Sequence, residues 1–100
     1  MIVTRVIFSI KPVMNEEFLQ VVRNTTQAVP QLKGCKYFGF YRDLEKPHTY
    51  FFSEEWETEA DFNAFHKSTE FKELSKVFDM LNGKPSATYF SGEYMKPPEL

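Results

Sequence analysis

The chain has 100 residues, 42% hydrophobic and 17% aromatic, with eleven Phe and five Tyr, a size that suits one domain with one core. Its formal charge of −2, with Lys and Arg scattered rather than striped, argues against a nucleic-acid partner. No stretch nears the roughly 20 apolar residues of a spanning helix, so no membrane partner is expected.

Residues 2–10, IVTRVIFSI, put Ile2, Val6, Phe8 and Ile10 on one face of a strand and Val3 and Ile7 on the other, the pattern of a strand buried on both sides. Pro12 ends it, and Asn15 is positioned to cap a helix whose first turn carries Glu16 and Glu17. Phe18, Val22, Thr25 and Val29, flanked by Leu19 and Val21, form its apolar stripe, and Pro30 and Gly34 mark the exit. Residues 34–43 and 49–57 read as an antiparallel hairpin joined by LEKPH. Phe38 and Phe40 oppose Tyr37 and Tyr41 in the first strand, while Tyr50, Phe52, Glu54 and Trp56 share one face of the second.

Thr58 with Asp61 resembles a capping box, opening a short helix with Phe62, Phe65 and His66 at i, i+3 and i+4. Further helical turns begin near Ser68, with Phe71, Leu74, Phe78 and Leu81 expected inward, until Gly83 and Pro85 break them. A last strand is expected over residues 87–95. The domain is read as 1–100, with its core at 2–95 and a polar tail at 96–100.

The order strand, helix, strand, strand, helix, strand is the βαββαβ arrangement of a ferredoxin-like α+β sandwich with an antiparallel sheet. Helices cover one face of such a sheet, yet these strands are apolar on both. A homodimer through the open face is therefore expected. Cys35 is the single cysteine, and the N-terminal apolar run is interrupted by Arg5 and has no small-residue cleavage site, so the expected location is cytoplasmic. Cys35, His48 and His66 lack metal-ligand spacing, so no zinc site is expected.

The runs GCKYFGFYRD and YFFSEEWETEADFNAFHKSTEF, followed by a final strand, resemble the antibiotic biosynthesis monooxygenase superfamily over about residues 2–95. Glu54-x-Trp56, the acidic helix start, His66, Ser68 and Phe71 carry the resemblance, together with Gly34 and Cys35. It implies a dimeric α+β barrel with a small-molecule pocket in each subunit. Its better characterised members oxidise quinols or polycyclic phenols with O₂ and use no metal or flavin. Others degrade haem, process small phosphorylated signals or have no assigned activity. The haem-degrading branch carries its ligating His where this chain has Ser75 and its distorting Trp at Phe65, and residues 2–11 contain no match for its first-strand Asn. That argues against haem as substrate.

Such chemistry needs a base to form the phenolate, one or two donors, and aromatic walls that keep water out. His66, with an ordinary pKa of roughly 6.5, is the candidate catalytic base. Trp56, Phe65, Phe62 and Phe8 are the candidate substrate-binding residues, Trp56 offering an indole N–H. The expected partners are thus a small aromatic substrate and O₂, with no cofactor. Plainer readings stand beside these: His66 as a surface helix residue, Trp56 as core, Cys35 as a small buried hydrophobe, Tyr50 and Tyr94 at an interface or rim. For Glu54, a carboxylate paired across the dimer with Arg5 or Arg42 is favoured over a base with raised pKa. The alternative function is a non-catalytic dimeric module that binds a small ligand. Whether His66 faces an enclosed pocket or solvent discriminates between the two.

Overall fold

In the computed structural model, which describes residues 1–93, 95 and 98, four strands form one antiparallel sheet. The strands are β1 (Ile2–Ser9), β2 (Cys35–Arg42), β3 (Thr49–Trp56) and β4 (Ser86–Ser91), in the order β2-β3-β1-β4. α1 (Asn15–Ala28), α2 (Glu59–His66) and α3 (Thr69–Ser75) pack on one face, giving the expected ferredoxin-like α+β sandwich. Tyr94 and residues 96, 97, 99 and 100, which include most of the expected tail, lie outside the described residues.

Register decides what each face carries, because successive side chains in a strand point to opposite sides. Phe38, Glu54, Thr4 and Tyr89 form one cross-strand row toward the helices, and Phe40, Phe52, Val6 and Ala87 form the next. Beyond them lie Tyr50 and Phe8. The opposite face presents Ile7, Tyr41 and Phe90, each about half exposed, with the Arg5 guanidinium 5.8 Å from the Phe90 ring centroid.

The half of the sheet under α1 is packed solid. Phe18 is fully buried and meets Phe8 and Phe40 edge-on, at centroid distances of 5.7 and 5.8 Å, and Tyr50 at 4.5 Å. Tyr50 is thus a core residue rather than an interface or rim residue, and its hydroxyl donates to Asn15 Oδ1 at 3.0 Å. That bond occupies the side chain expected to cap α1. Asn15 is instead the first helical residue, following a 3₁₀ turn over Pro12–Met14.

The second departure comes after α3. The helix ends at Ser75 and tightens into a 3₁₀ turn over Lys76–Met80. Three residues per turn replace 3.6, so the inward series runs Leu74, Val77, Met80 and leaves Phe78 63% exposed. The last strand is also shorter than expected, pairing with β1 only over Ser86–Ser91.

Candidate active site

Glu54 and Trp56 are two residues apart on β3, so both point beneath the helices. Trp56 is fully buried, stacks on Phe65 at a centroid distance of 4.9 Å, and donates from Nε1 to Glu54 Oε1 at 2.6 Å. The chain leaves β3 into α2 through the expected cap: the Thr58 hydroxyl accepts from the Asp61 backbone N–H at 3.1 Å. Gly34 makes this junction possible. It sits at φ +83°, where side chains are strained, and a Cβ there would collide with the Asp61 carboxylate.

One turn apart on α2, Phe62 and His66 share a face turned to the sheet. Ser68 caps α3, its hydroxyl accepting from the Phe71 N–H at 3.1 Å, and this places Phe71 against the same imidazole. Phe62 and Phe71 stand edge-on to His66 at centroid distances of 4.2 and 4.6 Å. His66 Nε2 lies 3.6 Å from Glu54 Oε1, beyond hydrogen-bond length but close enough for strong electrostatic coupling. The His66 side chain is 25% exposed and the Glu54 side chain 2%.

Burial pushes the Glu54 carboxyl up from 4.5 to about 7, even though the Trp56 N–H bond pulls it down. Burial among rings pushes His66 below its ordinary 6.5. Both shifts favour the neutral forms, and the Glu54 carboxyl keeps its proton up to about pH 7. Above pH 7 the carboxylate is charged and the imidazole neutral, and both can take a proton.

These groups open onto a cavity of about 410 Å³, within the roughly 300–1,000 Å³ of small-molecule sites. Of the residues expected from sequence, Phe8, Phe62 and His66 line it. Trp56 and Phe65 do not line it. They stand behind Glu54 and His66, where the Trp56 N–H holds the Glu54 carboxyl. Thr4, Val6, Phe40, Phe52 and Phe71 also line the cavity, with Leu74, Val77, Leu81 and Pro85, and the exposed Phe78 and Tyr89 stand at its edge.

Glu54 is the largest correction. A pairing with Arg5 or Arg42 of a second copy requires the open face, whereas Glu54 is sealed beneath the helices and Arg5 lies on the opposite side. Thr4 had escaped notice, although its even position in β1 puts it with Val6 and Phe8 on the core side. It is 2% exposed, and among the described residues its Oγ1 has no hydrogen-bond partner. Cys35 is half-buried, with its thiol pushed up by burial and by nearby Glu54, the character of a packing residue rather than a nucleophile. Among the described residues no cluster of His, Cys, Asp and Glu could hold a metal ion, and no helix is long and apolar enough to cross a membrane.

Residues 1–77 match the family described as antibiotic biosynthesis monooxygenase. A protein of Nitrosomonas europaea provisionally named as such a monooxygenase is 21% identical, with a TM-score of 0.80 over 94% of this chain and 100% of that one. A conserved protein of Methanosarcina mazei is 22% identical, with a TM-score of 0.82 over 92% of both chains. A third, from Deinococcus radiodurans and provisionally named like the first, is 16% identical, with a TM-score of 0.80 over 99% of this chain and 100% of that one. No curated protein matches the sequence. The chain belongs to the antibiotic biosynthesis monooxygenase family.

Proposed function

We propose that this member of the antibiotic biosynthesis monooxygenase family oxidises a small phenol or quinol with O₂, His66 and Glu54 taking the phenolic proton and no cofactor taking part. One observation carries the reading: two ionisable groups 3.6 Å apart at one side of a cavity otherwise lined mostly by aromatic and aliphatic side chains. Ground-state O₂ reacts slowly with closed-shell molecules, but a phenolate can pass it one electron. Proton removal by the pair forms that phenolate. Electron transfer then leaves a phenoxyl radical and superoxide, which join at a ring carbon that bears hydrogen. Loss of water breaks the O–O bond of the resulting peroxide and leaves a carbonyl. One oxygen atom enters the product, the other leaves as water, and the substrate supplies all the electrons. The surrounding rings limit the water that would quench these intermediates.

Among the described residues the cavity lining contains no Lys or Arg, which favours an uncharged substrate over a phosphorylated signal or a haem with its propionates. We further propose that residues 1–100 act as one domain in the cytoplasm, where a lone thiol is stable, and pair as a homodimer through the face bearing Ile7, Tyr41 and Phe90. Sedimentation would then give twice the 11.8 kDa chain mass, and Ile7→Glu would return the monomer.

The test of activity is O₂ uptake by metal-free and flavin-free protein with a panel of hydroquinones and anthrols, alongside His66→Ala. Uptake above autoxidation that vanishes in the variant supports the oxygenase. Uptake equal in both removes His66 from the mechanism. A silent panel turns the reading toward the ligand-binding module.

A further inference from the structure

We infer that the Thr4 hydroxyl is a ligand-positioning contact that selects an uncharged hydroxyl on an apolar, aromatic body. The inference rests on the reading of this cavity as the substrate site, but it concerns binding and is independent of turnover.

The cross-strand rows carry the argument. Toward the helices, one row places Thr4 between Glu54 and Tyr89, while the adjoining row, Phe40, Phe52, Val6 and Ala87, contains no polar side chain. Directly paired residues have Cβ atoms about 4.5–5.5 Å apart, so one oxygen atom of a ligand can meet Thr4 and Glu54 together. His66 approaches the same Glu54 carboxyl, with Nε2 3.6 Å from Oε1, and lines the same cavity. Glu54 and Thr4 thus lie side by side on one row, while the adjoining row is wholly apolar.

Thr4 has no structural task that explains its hydroxyl. It is 2% exposed, it lines the cavity, and Oγ1 finds no partner among the described residues, whereas Glu54 Oε1 beside it accepts from the Trp56 indole N–H. Valine has nearly the same shape, prefers strands equally and would leave no unpaired oxygen. A ligand hydroxyl resolves the mismatch: it accepts from Thr4 and donates to Glu54 or His66. A ligand carboxylate or phosphate instead faces Glu54 with no Lys or Arg among the described lining residues to balance it.

The experiment is an anaerobic amide chemical-shift titration of full-length wild type, Thr4→Val and Thr4→Ser with 1-naphthol, 1-methylnaphthalene and 1-naphthoate. Wild type is expected to prefer 1-naphthol over 1-methylnaphthalene by roughly 5- to 10-fold, the worth of one net hydrogen bond, and to bind 1-naphthoate weakest. Thr4→Val should lose that preference while binding 1-methylnaphthalene within about 2-fold of wild type, and Thr4→Ser should restore it. The Tm of Thr4→Val without ligand should match or exceed that of wild type. Equal naphthol affinity in wild type and Thr4→Val, or an equal loss of both neutral probes, would overturn the inference. A wild type that shows the preference yet takes up no O₂ fails as an oxygenase while Thr4 keeps its role. Vigorous uptake with no naphthol preference does the reverse.

Discussion

The two halves of the layer beneath the helices are built from the same residue types and do opposite things. Under α1, Phe18, Phe8, Phe40 and Tyr50 interlock edge-on and tilted, and the one polar tip, the Tyr50 hydroxyl, is bonded to Asn15. Under α2 and α3, Phe62, Phe71 and Phe52 stand around a cavity that holds a buried acid, a half-buried imidazole and an unpartnered hydroxyl. The first half obeys the rule that interiors are filled and polar groups satisfied; the second breaks it with a cavity and, at Thr4, a buried hydroxyl without a partner. Such local violations in an otherwise consistent fold are where function is to be sought.

Truncation should separate the halves most sharply. Phe18→Ala is expected to cost about 3–5 kcal/mol, because it opens a void in packed surroundings. Phe62→Ala, on a wall that already borders open space, should cost about 1 kcal/mol, and similar losses in urea unfolding would erase the distinction.

Next in size is the acid. The Glu54 pKa in the fold, about 7, exceeds its ordinary 4.5, so between those values the folded state keeps a proton that the unfolded state has released. Wild-type stability therefore falls as pH rises through that window, by about 3 kcal/mol at about 1.4 kcal/mol per pH unit. Glu54→Gln keeps an acceptor for the Trp56 N–H and cannot titrate. Its unfolding free energy should be flatter with pH and higher than wild type at pH 8, and a wild-type slope left unchanged by the substitution would place the acid's titration elsewhere. His66 has the opposite sign: its depressed pKa removes stability as pH falls below 6.5.

His66→Ala should lower turnover by roughly 10²-fold, about 2.7 kcal/mol in barrier height, with unfolding changed far less than in Phe18→Ala. Comparison of initial rates with unfolding midpoints tests this, and an unchanged rate would sink the assignment. Smallest is Thr4→Val, expected to stabilise the ligand-free protein by about 1 kcal/mol, since it removes a buried oxygen that has no partner. A residue whose loss helps the fold is the sharpest mark of the second half.

The contrast also explains what could be read in advance. The capping residues Thr58 and Ser68 act on their own neighbours, so the starts of α2 and α3 and the shared face of Phe62 and His66 were legible. Asn15 and Phe78 were not. One was drawn off by Tyr50, 35 residues away in sequence, and the other was turned out by a change of helical pitch beyond Ser75. Glu54 was read as a surface partner because a carboxylate among apolar neighbours looks, in sequence, like one that needs an arginine. In the fold its neighbours are Trp56 and His66.

By itself the sequence determined the element order, the alternation that turns Phe8, Phe52, Glu54 and Trp56 to one side, and the family resemblance, because each depends on local spacing or on motif. Only the tertiary structure decided which of those side chains face open space. Register between β1, β3 and β4 placed Thr4 beside Glu54, and the packing of α2 brought His66 to them, while Trp56 and Phe65 were enclosed behind. Periodicity names the face on which a residue lies, whereas a cavity exists only where elements distant in sequence fail to close upon one another.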